Sequence, residues 1–93
     1  MIVEAAVIKL YASWVHSLKE KRMVVKSIIA KVQNKFNVSI SEIDAQDIHK
    51  TIILGIACVA DCARITNSTI DNVINFIEGN SDAQIMDIQR EIR

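Results

Sequence analysis

The chain has 93 residues, of which 51% are hydrophobic and 24% are charged. At this length we expect one domain, residues 1–93, with a single core and no second domain. Its 11 basic residues balance 11 acidic ones, so the formal net charge is zero. This balance argues against broad electrostatic capture of nucleic acid or of anionic membranes. With no proline and only 2 glycines, the composition is that of an ordered globular domain.

The first twelve residues, MIVEAAVIKLYA, place Glu4 and Lys9 within a short apolar run. This pattern matches neither a signal peptide with a basic start nor a membrane span of about 18 apolar residues. In a chain without an export signal, Cys58 and Cys62 are predicted to be free thiols. We therefore expect a cytoplasmic protein that does not associate with membranes.

Residues 2–12 are predicted to form a first strand, which is central in its sheet because both of its faces are mainly apolar. Ser17 and Glu20 have the spacing of a capping box, which predicts a helix that begins at Ser17. Asn37 is predicted to end this helix in the left-handed conformation that asparagine tolerates. The apolar residues between these ends recur with a helical period: Leu18, Val24, Val25, Ile28, Ile29, Val32 and Phe36.

Residues 38–45 are predicted as a second strand, with a bulge or strand end near Ile43, where the alternation of apolar and polar residues slips. Residues 50–60 are almost continuously apolar and predict a second central strand. Asp61 is predicted to cap a second helix that ends at Gly79-Asn80.

In residues 83–92, apolar residues alternate with polar ones, which predicts a last strand. The element order is then βαββαβ. Two right-handed crossovers place both helices on one face of a four-stranded antiparallel sheet in the order 4-1-3-2. The predicted fold is therefore ferredoxin-like and belongs to the α+β class. The two strands with two apolar faces are the two that this topology puts in the centre.

One face of the predicted sheet lacks a helical cover. The larger side chains are predicted to lie under the helices: Ile8, Leu10, Ile52, Leu54, Ile56, Met86 and Ile88. The uncovered face then has an apolar centre, made of Val3, Ala5, Val7, Ile53, Gly55, Ala57 and Val59. Its polar rim is made of Ser39, Ser41, Asp87, Gln89 and Glu91.

An apolar centre within a polar rim is the anatomy of a protein interface, and it predicts a homodimer formed through the sheet. The alternatives are a loop that covers this face, or a one-residue slip in register that exchanges the two faces. Sheets that stack RNA bases carry several aromatic residues on this face. The central strands here offer only Tyr11, which argues against base stacking on the sheet.

The first predicted helix carries a cluster of basic residues on one flank. Lys19, Arg22 and Lys26 lie with Gln33 within about 60° on a helical projection, and Lys21 is close by in the first turn. Such a stripe could follow the phosphates of a nucleic acid. The alternative is a solvated helix face that contributes only solubility.

Other candidate sites are weaker. Asp44, Asp47 and His49 lie in one short turn and could bind a divalent ion, although aspartates in turns commonly bond to their own backbone. Cys58 and Cys62 lack the further ligands of a zinc site and the spacing of a redox pair. We therefore expect no metal and no cofactor.

Four segments together resemble the YlxP-like family, a group of small bacterial proteins of unknown function: SLKEKR at 17–22, NKFNVS at 34–39, EIDAQD at 42–47 and LGIACV at 54–59. The resemblance covers nearly the whole chain and implies a ferredoxin-like fold without an established enzymatic activity. Family members often lie among genes for transcription elongation, translation initiation and ribosome maturation, which implies a role near RNA or the ribosome. The chain departs from the family pattern at His49, where tryptophan is common, and at 13–15, where proline or glycine is usual.

The leading hypothesis is a non-enzymatic homodimeric adaptor that works near the translation machinery and contacts RNA, the ribosome or a translation factor. Its candidate contacts to nucleic acid or another anion are Lys19, Lys21, Arg22 and Lys26. Its candidate dimer interface comprises Val3, Ala5, Val7, Ile53, Ala57 and Val59. The alternative is a sensor domain that binds a small molecule at the dimer interface. An enzyme that uses His16, His49 or Asp47 is the weakest hypothesis, because no nucleophile with a defined partner is apparent.

Overall fold

The computed structural model describes residues 1–93 and shows the predicted element order. The elements are β1 (Ile2–Tyr11), α1 (Leu18–Lys35), β2 (Ser39–Asp44), β3 (Thr51–Ala60), α2 (Ala63–Asn80) and β4 (Gln84–Ile92). The strands form one sheet in the order β2-β3-β1-β4, and all three pairings are antiparallel. This is the predicted order read from the opposite edge, so the ferredoxin-like α+β fold is confirmed.

The core lies between the sheet and the two helices. Ile8, Leu10, Ile52 and Leu54 on the central strands are each 0% exposed. Both central strands bury one complete face under the helices, which explains the apolar residues at every second position of these strands. The helices add Val25, Ile28 and Val32 from α1 and Ile70, Val73, Ile74 and Ile77 from α2. Neither helix contains an apolar stretch that could cross a membrane.

The start of α1 is as predicted and its end is not. The Ser17 hydroxyl accepts a hydrogen bond from the backbone N–H of Glu20 at 3.1 Å, which confirms the cap. The helix ends at Lys35, and Phe36 is already extended, with φ −124°. The prediction that Asn37 takes a left-handed conformation is wrong, since Ala45 is the one non-glycine residue with positive φ. Phe36 instead leaves the helix to pack edge-on against Phe76, with ring centroids 5.5 Å apart.

The start of α2 also differs from the prediction. The residue at the cap position is Cys62, and its side chain makes no capping hydrogen bond. Asp61 lies one residue too early to cap the helix, so that prediction is wrong. The predicted end near Gly79 and Asn80 is confirmed, since α2 extends to Asn80.

Both edge strands contain a bulge. The bulge in β2 lies between Glu42 and Asp44 and confirms the irregularity predicted near Ile43. The bulge in β4 was not predicted: the register changes from the pair Lys9 and Asp87 to the pair Leu10 and Ile85, and Met86 has no partner.

The prediction that Met86 lies under the helices is wrong, and the prediction for Ile88 is right as to the side of the sheet but not as to burial. Met86 is 53% exposed and Ile88 is 37% exposed. The bulge removes Met86 from the alternation, and Ile85 packs against the core in its place. Ile88 lies on the helix side of the sheet, but α2 packs mainly over β1 and β3, so β4 extends beyond its cover.

Candidate functional site

The open face of the sheet, on the side away from the helices, carries the residues predicted for a dimer interface. Val3 is opposite Val59, Ala5 is opposite Ala57, and Val7 is opposite Gly55. Paired residues in a sheet share one face, and the alternate residues on these strands are buried in the core. Val59 is 63% exposed and Val7 is 38% exposed. This apolar surface is uncovered in the single chain.

The open face also includes an apolar residue that the sequence analysis placed only in a bulge. A Cβ atom at Gly55 would lie 2.8 Å from Cγ2 of Ile43, so the Ile43 side chain lies directly across the glycine. Ile43 is itself 50% exposed. The bulge in β2 therefore turns Ile43 onto the open face and extends the apolar surface towards the β2 edge.

The rim of the open face is polar on both edges. On the β2 side it carries Ser39, Ser41 and Asp44, which are opposite Ala57, Gly55 and Ile53. On the β4 side it carries Asp87, Gln89 and Glu91, which are opposite Lys9, Val7 and Ala5, and Arg93, which is hydrogen-bonded to Val3. Both edges therefore carry acidic residues, and Arg93 adds a cation to the β4 edge.

Three of the four predicted basic residues lie together on the exposed surface of α1. Lys19, Arg22 and Lys26 are exposed. On the opposite flank of the helix, Lys31 Nζ donates to the Asn80 carbonyl at 3.4 Å, and Lys35 lies 5.1 Å from the centroid of the Phe76 ring. Those two contacts fix the flank that faces α2. The basic stripe, defined here as Lys19, Arg22 and Lys26, therefore lies on the outer flank of α1.

The prediction that Lys21 belongs with these residues is wrong, because its side chain is only 1% exposed. Its Nζ lies 3.0 Å from Oε2 of Glu42 and donates a hydrogen bond to the carbonyl of Ala45. Ala45 has a φ of 57°, a conformation that is unusual for alanine. Lys21 therefore fastens α1 to the end of β2 and is not available to a ligand.

A charge cluster around the buried Glu4, which the sequence analysis missed, joins β1, β4 and α2. Glu4 is 1% exposed, and its Oε2 accepts hydrogen bonds from Arg90 Nε at 2.9 Å and Nη2 at 2.6 Å. Arg90 also pairs with Asp71 and donates to the Asn67 carbonyl at 3.1 Å. The hydrogen bond to Asp71, followed by that to Glu4, raises the pKa of Arg90 further above its already high value.

The only available signal for this cluster is an acidic residue at an inward position of an apolar strand. Oε1 of Glu4 is buried and has no hydrogen-bond partner. The cluster has the geometry of a structural ion pair that holds the last strand in place.

The two cysteines are free thiols, as predicted. Cys58 is opposite Glu4 in the sheet. Burial raises the pKa of the Cys58 thiol, and the charge of Glu4 adds to this shift, while Arg90 opposes it. A raised pKa leaves the thiol protonated, which is the opposite of what a nucleophilic cysteine needs.

The acidic turn does not gather metal ligands. The carboxylate of Asp44 accepts the backbone N–H of Ala45 at 2.8 Å, which is the local turn bonding given above as the alternative. Asp47 and His49 are exposed. No group of three histidine, cysteine, aspartate or glutamate side chains is placed to hold a metal ion.

A cleft of about 280 Å³ lies between the β1–α1 connection and the end of α2. Trp14, Met23, Lys31 and Asp82 are among the residues that line it. His16 is not among the lining residues, so this cleft does not support the hypothesis of an enzyme with His16 as its base.

Comparison with known proteins agrees with these observations. The family described as "Protein of unknown function (DUF503)" matches residues 3–90. The uncharacterized protein YlxP of Bacillus subtilis (strain 168) is 50% identical over 62 residues, which cover 67% of each protein. A de novo designed protein with a ferredoxin fold, solved by solution NMR, is similar in structure, with a TM-score of 0.58 and 22% sequence identity. The alignment covers 100% of this chain and 85% of the designed protein. That last likeness concerns the fold alone.

The family match covers both helices and nearly the whole sheet, and it includes the residues of the open face and of the basic stripe. The resemblance given by the four sequence segments is thereby confirmed. The chain therefore belongs to the DUF503 family.

Proposed function

We propose that the protein is a non-enzymatic homodimeric adaptor that pairs through the open face of its sheet and contacts RNA through the basic stripe on α1. The observation that carries this proposal is the uncovered apolar surface around Val7, Ala57 and Val59. A solvated surface of this kind on a small domain is unfavourable, and a second copy would remove it from water.

The open face is large enough for a stable dimer. Its two central strands have 10 residues each. At about 3.4 Å per residue and about 4.8 Å between strands, four strands present a face of roughly 600 Å² in projection. Because side chains project from the sheet, its accessible area is larger than this projected area. It is therefore comparable with the area of about 800 Å² per partner that standard interfaces bury. Sheet-on-sheet packing is also a common arrangement in proteins.

The rim favours one symmetry of the dimer. A two-fold axis parallel to the strands would place the β2 edge of one copy over the β4 edge of the other. Asp44, which is level with Asp87 across the sheet, would then lie near Asp87 of the second copy, which is electrostatically unfavourable. A two-fold axis that crosses the strands at the level of Arg90 instead places Asp87 near Arg93 of the second copy.

The dimer can be tested with a variant that carries Val7→Glu and Val59→Glu. Both side chains are exposed in the single chain, so the variant should fold while its interface becomes charged. We expect light scattering after size exclusion to give half the particle mass of the wild type. A matched control is Met23→Glu with Ile65→Glu, which changes two exposed apolar residues elsewhere and should keep the wild-type mass. A wild-type protein that is still monomeric at a concentration of about 100 µM would have a dissociation constant above that value. Such a result would contradict the proposed dimer.

The basic stripe supports the RNA contact because its three cations face outward together. Lys19, Arg22 and Lys26 extend over about 10 Å of helix axis, and phosphate contacts of this kind provide affinity without sequence specificity. Two-fold symmetry would give the dimer two such stripes. The role near the translation machinery rests on the genomic association that the family resemblance implies.

The RNA contact can be tested by changing Lys19, Arg22 and Lys26 to glutamate and measuring a gel shift with ribosomal RNA fragments. We expect at least a tenfold loss of affinity, because about three phosphate contacts are replaced by repulsion. The control changes Lys31, Lys35 and Arg64 to glutamate, which alters the net charge equally at other exposed positions. An equal loss in both variants, or no loss in either, would contradict a specific role for the stripe.

A further inference from the structure

The free edge of β4 is the second surface of this chain that lacks a partner. β4 is the outermost strand beside β1. Val3 and Arg93 exchange two backbone hydrogen bonds, of 3.1 and 2.7 Å. Because hydrogen-bonded and non-hydrogen-bonded pairs alternate in an antiparallel ladder, the odd-numbered residues of β4 bond inward to β1. The backbone N–H and C=O groups of Ile88, Arg90 and Ile92 therefore point outward.

This edge is longer and more regular than the β2 edge of the sheet. Natural sheets blunt their edges with charged side chains, proline, bulges or short strands. β4 has 9 residues, Gln84–Ile92, with neither lysine nor proline among them. Its bulge lies at Met86, so 87–92 is regular. By contrast, β2 has 6 residues and a bulge within them.

We propose that β4 pairs antiparallel with β4 of a second copy, around a two-fold axis at Arg90. In this register Ile88 of one copy is opposite Ile92 of the other on the helix side of the sheet. On the open side, Asp87 is opposite Arg93, and Gln89 is opposite Glu91. The contact thus joins apolar residues to each other and opposite charges to each other, and each pair occurs twice.

The neighbouring registers are less favourable. Sliding one copy by two residues places Asp87 opposite Glu91, and sliding it by two residues in the other direction places Glu91 opposite Glu91. Like charges at opposed positions of a sheet are destabilising. The register centred on Arg90 is the one that leaves no acidic pair and includes residues 87–93 of both copies.

The two Arg90 residues at the axis do not oppose this contact. Each Arg90 side chain turns back over its own chain, where it bonds to Glu4 of β1 and pairs with Asp71 of α2. Both guanidinium groups therefore lie away from the free edge and are neutralised by carboxylates of their own chain.

This edge contact is separate from the sheet-face dimer proposed above. It would join two four-stranded sheets into one continuous sheet of eight strands. If both contacts form and the face axis crosses the strands, four copies assemble with three mutually perpendicular two-fold axes, as in common tetramers. Loss of either contact would then leave a dimer through the other, so the two proposals can fail independently.

The register can be tested by disulfide trapping. In the proposed contact Gln89 and Glu91 of the second copy form a non-hydrogen-bonded pair, with Cα atoms about 4.5 Å apart, which a disulfide can bridge. We would oxidise an equimolar mixture of full-length Gln89→Cys and Glu91→Cys chains, both with Cys62→Ser to remove the more accessible native thiol. We expect a disulfide-linked dimer in the mixture and much less in either variant alone.

Two outcomes would overturn the inference: no linked dimer in the mixture, or equal linkage in each variant alone. The sheet-face dimer would not give the expected result, because its strands lie about 10 Å apart across the interface, beyond the reach of a disulfide. The trapping experiment therefore reports on the edge contact alone.

A charge exchange provides an independent measurement in the Val7→Glu, Val59→Glu background, where only the edge contact is left. Adding Asp87→Arg should weaken dimerisation by about tenfold, because two attractive pairs become repulsive. Adding Arg93→Asp as well should restore the original affinity, measured by sedimentation. A weakening that the second change does not reverse would contradict the pairing of Asp87 with Arg93, since the loss would then come from Lys9, which Asp87 opposes within its own chain.

Discussion

At the scale of single residues, the buried charges are more informative than the exposed ones. Glu4 and Lys21 are each 1% exposed: Glu4 lies in a mainly apolar strand, and Lys21 lies on the core side of α1. Each is compensated by a partner on a different element, Arg90 for Glu4 and Glu42 for Lys21. Ionised groups that are buried in this way are tolerated only with such partners. Their role is to fix the position of an element.

The pair of Glu4 and Arg90 gives a direct test of this role. Arg90→Ala should lower the free energy of unfolding by about 3 kcal/mol, because it leaves the Glu4 carboxylate buried without a cation. Urea denaturation followed by circular dichroism would measure the loss.

The matched variant for this test combines Arg90→Ala with Glu4→Gln. It removes the uncompensated charge and should recover a large part of the lost stability. If the double variant is less stable than Arg90→Ala by a further 1 kcal/mol or more, on the order of an ordinary point mutation, Glu4 has a packing role that is independent of its charge.

At the scale of elements, the position of α1 was predicted correctly from the sequence, but the burial of Lys21 was not. The cap at Ser17 and the apolar period were sufficient to place the helix. At 100° per residue, Lys21 projects between Ile28 and Val32, which are both buried. The helical period therefore contained the signal that Lys21 faces inward. Its charge led to the wrong prediction because lysine is rarely buried without a partner, and the partner lies on β2.

Charge reversal along α1 should separate the buried lysine from the exposed stripe. Lys21→Glu would place two carboxylates together next to the core, and we expect a loss of about 3 kcal/mol or more in the free energy of unfolding. Arg22→Glu, one position further, changes an exposed side chain and should alter stability by about 0.5 kcal/mol at most. Thermal or urea unfolding of the two variants provides the comparison. Equal losses would mean that Lys21 is exposed in solution.

Of the two bulges, one could be predicted from the sequence of its own strand and the other could not. In β2 the irregularity is visible in the sequence, since Glu42 and Ile43 break the alternation. In β4 the apolar residues Met86 and Ile88 alternate regularly, and nothing in the strand itself marks Met86 as unpaired. The bulge there is a property of the pairing with β1. The end of α1 is similar, because the contact between Phe36 and Phe76 prevails over the local preference of Asn37.

At the scale of the whole molecule, the topology was predictable because periodicity, strand polarity and crossover handedness all indicate the same fold. The position of the open face followed from that topology and from the alternation along β1 and β3. The contribution of Ile43 to this face did not, since it depends on the bulge in β2. The partner of the open face depends on contacts between molecules, which the residue pattern of a single strand does not specify.

The weak cover of β4 has a consequence for the dynamics of the protein. Of its nine residues, Ile85 alone is partly buried, and the Arg90 ion pairs are its main side-chain attachment to the rest of the domain. In hydrogen–deuterium exchange at protein concentrations too low for the edge contact to form, the amides of this strand should lose protection first, while those of β1 and β3 stay protected until global unfolding. The C-terminal strand would then be the first element to unfold locally. Its loss would expose β1 as a long apolar edge strand that is prone to aggregation.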